Sequence, residues 1–141
     1  MNNEVSPRVV LDADSLLTHA RVALLNAYAP YSRMRVGAAA LFDDGSIVTG
    51  VNVENASFGL TICAERCAIA AAVAQGKRRL CALAVTSDHY KPLPPCGACR
   101  QVIAEFSEDD AVVILEEMDG KSKIFRMSEL LPLAYKFPKP A

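Results

Sequence analysis

Two short cysteine clusters constrain this chain more than anything else in it: Cys63-Ala64-Glu65-Arg66 and Pro95-Cys96-Gly97-Ala98-Cys99-Arg100. If the sulfurs of Cys63, Cys96 and Cys99 are to share one ion, the fold must bring the chain back to the same point after the 32 residues between Cys63 and Cys96. That length holds a helix, a strand and a loop. It is one crossover of the βα type, which sets two helix starts at one edge of a sheet. Cys96 and Cys99 are three apart and lie on one side of a first helical turn. Cys63 and Glu65 are two apart, so mid-helix they would diverge by about 200°. Only at the very first turn do both reach the space ahead of the helix. The spacing therefore puts the ion in front of two helix N-termini.

Three cysteine ligands and an open fourth position are the pattern of a catalytic zinc, which acidifies the water it holds. Three thiolates leave such a site negatively charged. The two helix N-termini, each worth about half a positive charge, offset this, and Arg66 adds a full charge beside the site as a charge-tuning group. Glu65, not a ligand, is placed to move protons as a general acid and base. Cys67 lies one turn beyond Cys63, about 6 Å deeper along the helix, and reads as core packing. Cys81 sits in an apolar run and reads as core too. His19 has no ligand-type partners and reads as a surface or packing residue, and His89, just before the second cluster, has no assigned role.

Composition narrows the alternatives. The 141 residues suit one domain over 1–141, and 52% hydrophobic with 22% charged residues is enough apolar surface for a packed core. A net charge of −1 gives no positive field for a nucleic-acid backbone, so nucleic acid is not the expected partner. The longest apolar stretch, Ala68–Ala74, is far short of the roughly 20 residues that span a bilayer, so no membrane association is expected. Met1-Asn2-Asn3-Glu4 lacks the basic start of a signal peptide, which points to the cytoplasm. Five cysteines, an odd number, suit metal binding better than a disulfide framework.

The periodicities predict a helix over Asp14–Ala29, capped by Asp12 or Asp14 and stopped by Pro30, then a hairpin of Val36–Phe42 and Ile47–Val53. A second helix runs from Cys63 to Gln75, with Gly76 as its stop, before a strand over Leu80–Thr86. A third helix follows from Cys96 to Phe106. Strands at Ala111–Leu115 and Ile124–Met127 and a short last helix capped by Ser128 complete the order. Strands separated by helices need crossovers, hence a mixed sheet covered by helices.

At these residues the chain resembles the small cytidine deaminases of nucleoside salvage. The resemblance runs through Ala29-Pro30-Tyr31-Ser32, Val36-Gly37-Ala38-Ala39, Asn52-Val53-Glu54-Asn55-Ala56-Ser57, Leu60–Arg66, Pro95–Gln101 and Leu130-Leu131-Pro132. It implies a three-layer α/β/α sandwich with a mixed sheet of about five strands. It implies one Zn2+ per chain on Cys63, Cys96 and Cys99, and Glu65 as proton shuttle while zinc-bound hydroxide attacks C4 of cytidine or 2′-deoxycytidine. It also implies Asn52 and Glu54 on the ribose hydroxyls, and Met34 and Ala64 beside the substrate. Alternation with Val51 and Val53 independently puts Asn52 and Glu54 on one face of a strand end. Members of this length are homotetramers with sites at subunit interfaces. Tyr135 and Phe58 are then candidates to line a neighbouring chain's pocket, and Ala64, Ala68, Ala71 and Ala72 permit close helix packing. Met34 stands where the family commonly has Phe, Phe58 where Tyr is common, and Tyr135 where Phe usually covers the base. Three other readings stay open: a modified cytosine nucleoside such as blasticidin S as substrate, an editing deaminase on RNA or DNA, and a non-catalytic zinc-stabilised interaction module.

Overall fold

The computed structural model describes residues 2–6 and 9–140. Its elements are β1 (Asn2–Ser6), β2 (Val9–Asp12), α1 (Ala13–Leu24), β3 (Val36–Phe42), β4 (Ile47–Val51), a 3₁₀ turn at Phe58–Leu60, α2 (Ala64–Ala74), β5 (Leu80–Ser87), α3 (Gly97–Phe106), β6 (Ser107–Glu116), β7 (Ser122–Arg126) and α4 (Met127–Leu130). The main sheet has five strands in the order β4-β3-β5-β6-β7. Only the β5–β6 pair is parallel; β3 pairs antiparallel with β4 and β5, and β6 with β7. This is the mixed, helix-covered sheet expected.

The faces of β3 and β5 divide the core. Ala39, Leu41, Ala82 and Ala84 pack under α1 through Leu16, Leu17 and Ala20. Ala38, Ala40, Phe42, Leu83 and Val85 pack on the other face, under Ala64, Ala68 and Ile69 of α2 and Ile103 of α3. The result is three layers, α/β/α. Two glycines let the helices seat closely. A Cβ on Gly37 would lie 2.1 Å from the Ala20 carbonyl oxygen of α1. On the opposite face, a Cβ on Gly50 would lie 2.3 Å from the Ala68 nitrogen and 2.5 Å from the Ala64 oxygen of α2. No side chain fits at either position.

Topology accounts for the meeting of the two helix starts. β4 and β5 are both antiparallel to β3, so they run in the same direction. α2 follows the end of β4 and α3 follows the end of β5, so both helices begin at the same end of the sheet.

Several boundaries differ from the periodicity. α1 ends at Leu24, not Ala29: Asn26 and Ala27 make tighter turn bonds, and Tyr28 is then drawn into extended pairing beside Val53. β4 stops at Val51, because Asn52 turns inward to bond other segments. β6 starts at Ser107, directly after α3, and β7 covers Ser122–Arg126. The last helix is capped at Arg126 rather than Ser128, with Glu129 accepting from the Arg126 N–H at 3.0 Å. The β1–β2 ribbon was not anticipated; Val9 and Leu11 of β2 alternate into the core beside α1. Asp12 does cap α1, accepting from the Ser15 N–H at 3.1 Å, and His19 is exposed on that helix. No helix among the described residues is long and apolar enough to cross a membrane.

Gly50→Ala forces α2 off the sheet against backbone that cannot yield, so its urea denaturation midpoint should fall by the equivalent of about 3 kcal/mol. Gly59→Ala, at a position with nothing within 4 Å, should be near neutral in the same titration.

Candidate metal centre

Cys63 is the N-cap of α2 and Cys96 the N-cap of α3, while Cys99 lies in the first turn of α3. Their sulfurs all lie within 4.8 Å of one another, a cluster drawn from two helix N-termini as the spacing requires. Tetrahedral zinc with Zn–S bonds of about 2.3 Å needs sulfurs about 3.8 Å apart, which small side-chain rotations reach. Soft thiolate donors suit zinc, and the protein supplies three of them, the number that leaves a coordination position open. Cys99 is buried, Cys63 half-buried and Cys96 exposed, so the cluster is approached from the Cys96 side. Cys99 also donates its backbone N–H to the Cys96 sulfur at 3.5 Å.

The charges follow from these contacts. A hydrogen bond from Cys99 and then the Arg66 guanidinium pull the Cys63 thiol down to about 5. Cys99, which donates in that pair and is buried, is pushed up. Arg66 Nη2 lies 3.3 Å from the Cys63 sulfur, so Arg66 serves the cluster rather than a surface ion pair. Its Nε is buried without a hydrogen-bond partner among the described residues. Metal binding drives off the remaining thiol protons.

Glu65 is 5% exposed, in the first turn of α2 beside the sulfurs. Burial, with the nearby Cys63 charge adding to it, raises its carboxyl to about 6. A carboxyl titrating there takes and gives protons near neutrality. Ala64, its neighbour, is fully buried.

Asn52 and Glu54 lie beyond the end of β4 and both grip the segment 31–36. The buried Asn52 accepts from the Val36 N–H at 2.9 Å and donates to the Met34 carbonyl at 2.9 Å. Glu54, half-buried, accepts from the backbone N–H groups of Tyr31 (2.9 Å) and Ser32 (3.1 Å) and from the Ser32 hydroxyl. Both therefore project to one side, and neither is a merely solvated strand end. Met34 packs at the edge of the core between them. Phe58 is 73% exposed, its ring edge-on to Tyr31, and Tyr135 is 69% exposed. Tyr135 lines a cavity of about 260 Å³ with Ala104, Glu105 and Phe137, away from the sulfur cluster residues.

Cys67 is not the core residue expected. It is half-buried and outside both apolar clusters, because Ala64, Ala68 and Ala72 take the sheet-facing side of α2. It does not belong to the metal cluster. Cys81 is buried in β5 as expected, and His89 is exposed with its ring against Tyr90. A cavity of about 460 Å³ lined by Ala104, Ser107, Met127 and Leu131 contains none of the site residues.

Sequence reasoning passed over two sets of residues. Ser32 was visible only within the stretch Ala29-Pro30-Tyr31-Ser32, with no role of its own. Glu116, at the end of β6, is buried and receives Arg21 Nε at 2.6 Å, the Thr86 hydroxyl and Lys91 Nζ at 3.4 Å. It ties the loop leading to Cys96 to the sheet. No local signal marks it, since its partners come from three distant segments.

A family profile described as the cytidine and deoxycytidylate deaminase zinc-binding region matches residues 12–116. The chain is 49% identical over 125 residues to a cytidine deaminase of Halalkalibacterium halodurans, covering 89% of this chain and 95% of that one. Among solved structures, cytidine deaminase from Burkholderia pseudomallei superposes with a TM-score of 0.83 at 42% identity, over 89% of this chain and 100% of that chain. Cytidine deaminase from Mycobacterium tuberculosis gives 0.80 at 43% identity, over 90% and 99%.

Single Cys→Ser changes at 63, 96 and 99 should each leave the purified protein with well under one zinc, whereas Cys67→Ser and Cys81→Ser should retain one. Metal analysis after dialysis at a common zinc concentration separates the two groups.

Proposed function

The chain belongs to the cytidine and deoxycytidylate deaminase family, and on that premise we propose that it hydrolyses cytidine and 2′-deoxycytidine to uridine and 2′-deoxyuridine, releasing ammonia. The observation that carries the reading is a buried carboxyl, Glu65, set beside three thiols that converge on one point at two helix N-termini. Bound zinc supplies there an electrophile that makes water a nucleophile near neutral pH.

The chain's own groups do the rest. Glu65 takes the proton of the attacking water, hands it to N3 of the pyrimidine, and delivers the next to the amine leaving C4. Its position in the buried first turn of α2 keeps it away from bulk water, which supports this role. The N-termini of α2 and α3, with the Cys99 N–H on the Cys96 sulfur, and the Arg66 guanidinium offset the charge of the thiolates.

Substrate binding falls to Asn52 and Glu54 on the ribose hydroxyls, with Met34 against the nucleoside and Ala64, its methyl group packed on the sheet, meeting it through backbone alone. Their common direction and the anchoring of Glu54 by three donors support this. The working unit is the whole span 1–141, in the cytoplasm, assembled as a homotetramer in which Tyr135 and Phe58 close a neighbour's pocket. The exposure of these rings, with Leu60 65% and Ile62 42% exposed near Phe58 in sequence, supports a covered surface there.

Cytidine absorbance should decay with the parent protein and not with Glu65→Gln, both carrying zinc. The variant's kcat should drop about a thousandfold or more. Near-parental turnover by Glu65→Gln removes the proton-shuttle role. On a calibrated sizing column the parent should run as four chains, and Tyr135→Ala should lower activity even where the tetramer persists.

A further inference from the structure

The segment 29–36 is folded around one hydroxyl. The Ala29 carbonyl accepts from the Arg33 N–H at 3.0 Å, closing a turn, and Arg33 then takes φ 61, in the left-handed region. That reversal brings the Met34 N–H back onto Ser32 Oγ at 3.0 Å. The Ser32 oxygen is thereby an acceptor toward Met34, so its single proton is free to go to Glu54 Oε2, its other partner. The rotor is fixed from behind by the backbone.

Glu54 is fixed in turn. Oε1 accepts two backbone N–H groups, from Tyr31 and Ser32, and Oε2 accepts the Ser32 hydroxyl. A carboxylate offers about four acceptor directions. Three are filled from one short segment, which leaves one open on Oε2. The same segment is tied to Asn52, since the Met34 carbonyl accepts from Asn52 Nδ2 at 2.9 Å and the Val36 N–H donates to Asn52 Oδ1 at 2.9 Å. Asn52 and Glu54 are therefore held by one strap. Arg35 pins the strap's far side, giving its N–H (3.0 Å) and Nε (2.8 Å) to Asp88.

We propose that Ser32 is a positioning residue for substrate recognition: its hydroxyl orients the Glu54 carboxylate so that one acceptor site on Oε2 remains for a single ribose hydroxyl of the nucleoside. This rests on the reading of Glu54 as a ribose contact. The specificity it gives is for a donor on the sugar, because an ionised carboxylate only accepts. Without the Ser32 proton Oε2 has a second open acceptor direction and only the two N–H bonds to Oε1 orient the carboxylate, so the incoming hydroxyl loses its single fixed acceptor site.

The test pairs Ser32→Ala, and Ser32→Cys as a near-isosteric variant with a weak donor, with cytidine and 2′,3′-dideoxycytidine. Glu54→Ala runs beside them. On cytidine, both Ser32 variants should lose about tenfold in kcat/KM, mostly through KM, the effect of one charge-assisted hydrogen bond. On the dideoxynucleoside their kcat/KM should match the parent's, since the hydroxyl that Glu54 would receive is absent. A loss of equal size on both nucleosides makes Ser32 a general structural residue and overturns the proposal. If Glu54→Ala separates the two nucleosides and the Ser32 variants do not, the proposal falls and the ribose reading of Glu54 stands. If Glu54→Ala affects both nucleosides alike, the ribose reading falls and the proposal with it.

Discussion

Everything functional in this protein depends on placing three thiols at one point without letting their charge defeat the metal they hold. Thiolates repel one another and, around a dication, leave a net negative site that polarises water poorly. Two helix N-termini aimed at that point, with the Arg66 guanidinium 3.3 Å from the Cys63 sulfur, supply the opposing field. For both helices to start there, the strands before them must end there. The fold meets that requirement by flanking β3 with two strands that run the same way, so α2 and α3 leave from one end of the sheet.

Close packing carries this geometry to the Glu65 carboxyl. Gly50 lets the α2 backbone rest directly on β4, and Ala64, Ala68 and Ala72 present almost nothing but backbone and methyl groups to the sheet. The closeness buries Glu65 although Cys63 and Arg66 nearby reach solvent, and burial is what moves its carboxyl to about 6. Packing and acid–base chemistry are here one effect: a helix seated farther out would wet the carboxyl and return it to the ordinary range.

The Asn52 and Glu54 side of the structure follows a different rule. No apolar packing orients Glu54; backbone N–H groups and one hydroxyl do, all from a strap whose left-handed residue turns its donors inward. Asn52 holds the same strap from the buried side. The metal half of the site is thus built on rigid helix starts. The part around Glu54 is a loop made rigid by hydrogen bonds, and a loop can change its donors without disturbing the core.

Local terms act over a few residues, and what they govern was readable in the chain. The β3 strand, the starts of α2 and α3, the convergence of the three thiols and the place of Glu65 in a first helical turn all followed from spacing, caps and breakers. Tertiary structure decided what local terms leave nearly balanced. Helix α1 ends five residues early because Tyr28 pairs with Val53, 25 positions away. β4 stops at Val51 because Asn52 finds its partners at Met34 and Val36, and Cys67 is half-buried outside the core because three alanines claim the inner side of α2. The Ser32–Glu54 pair and the donors on Glu116 likewise join segments far apart in sequence. Hydrogen bonds of that kind have no periodicity to announce them; they exist only once the sheet has fixed which segments meet.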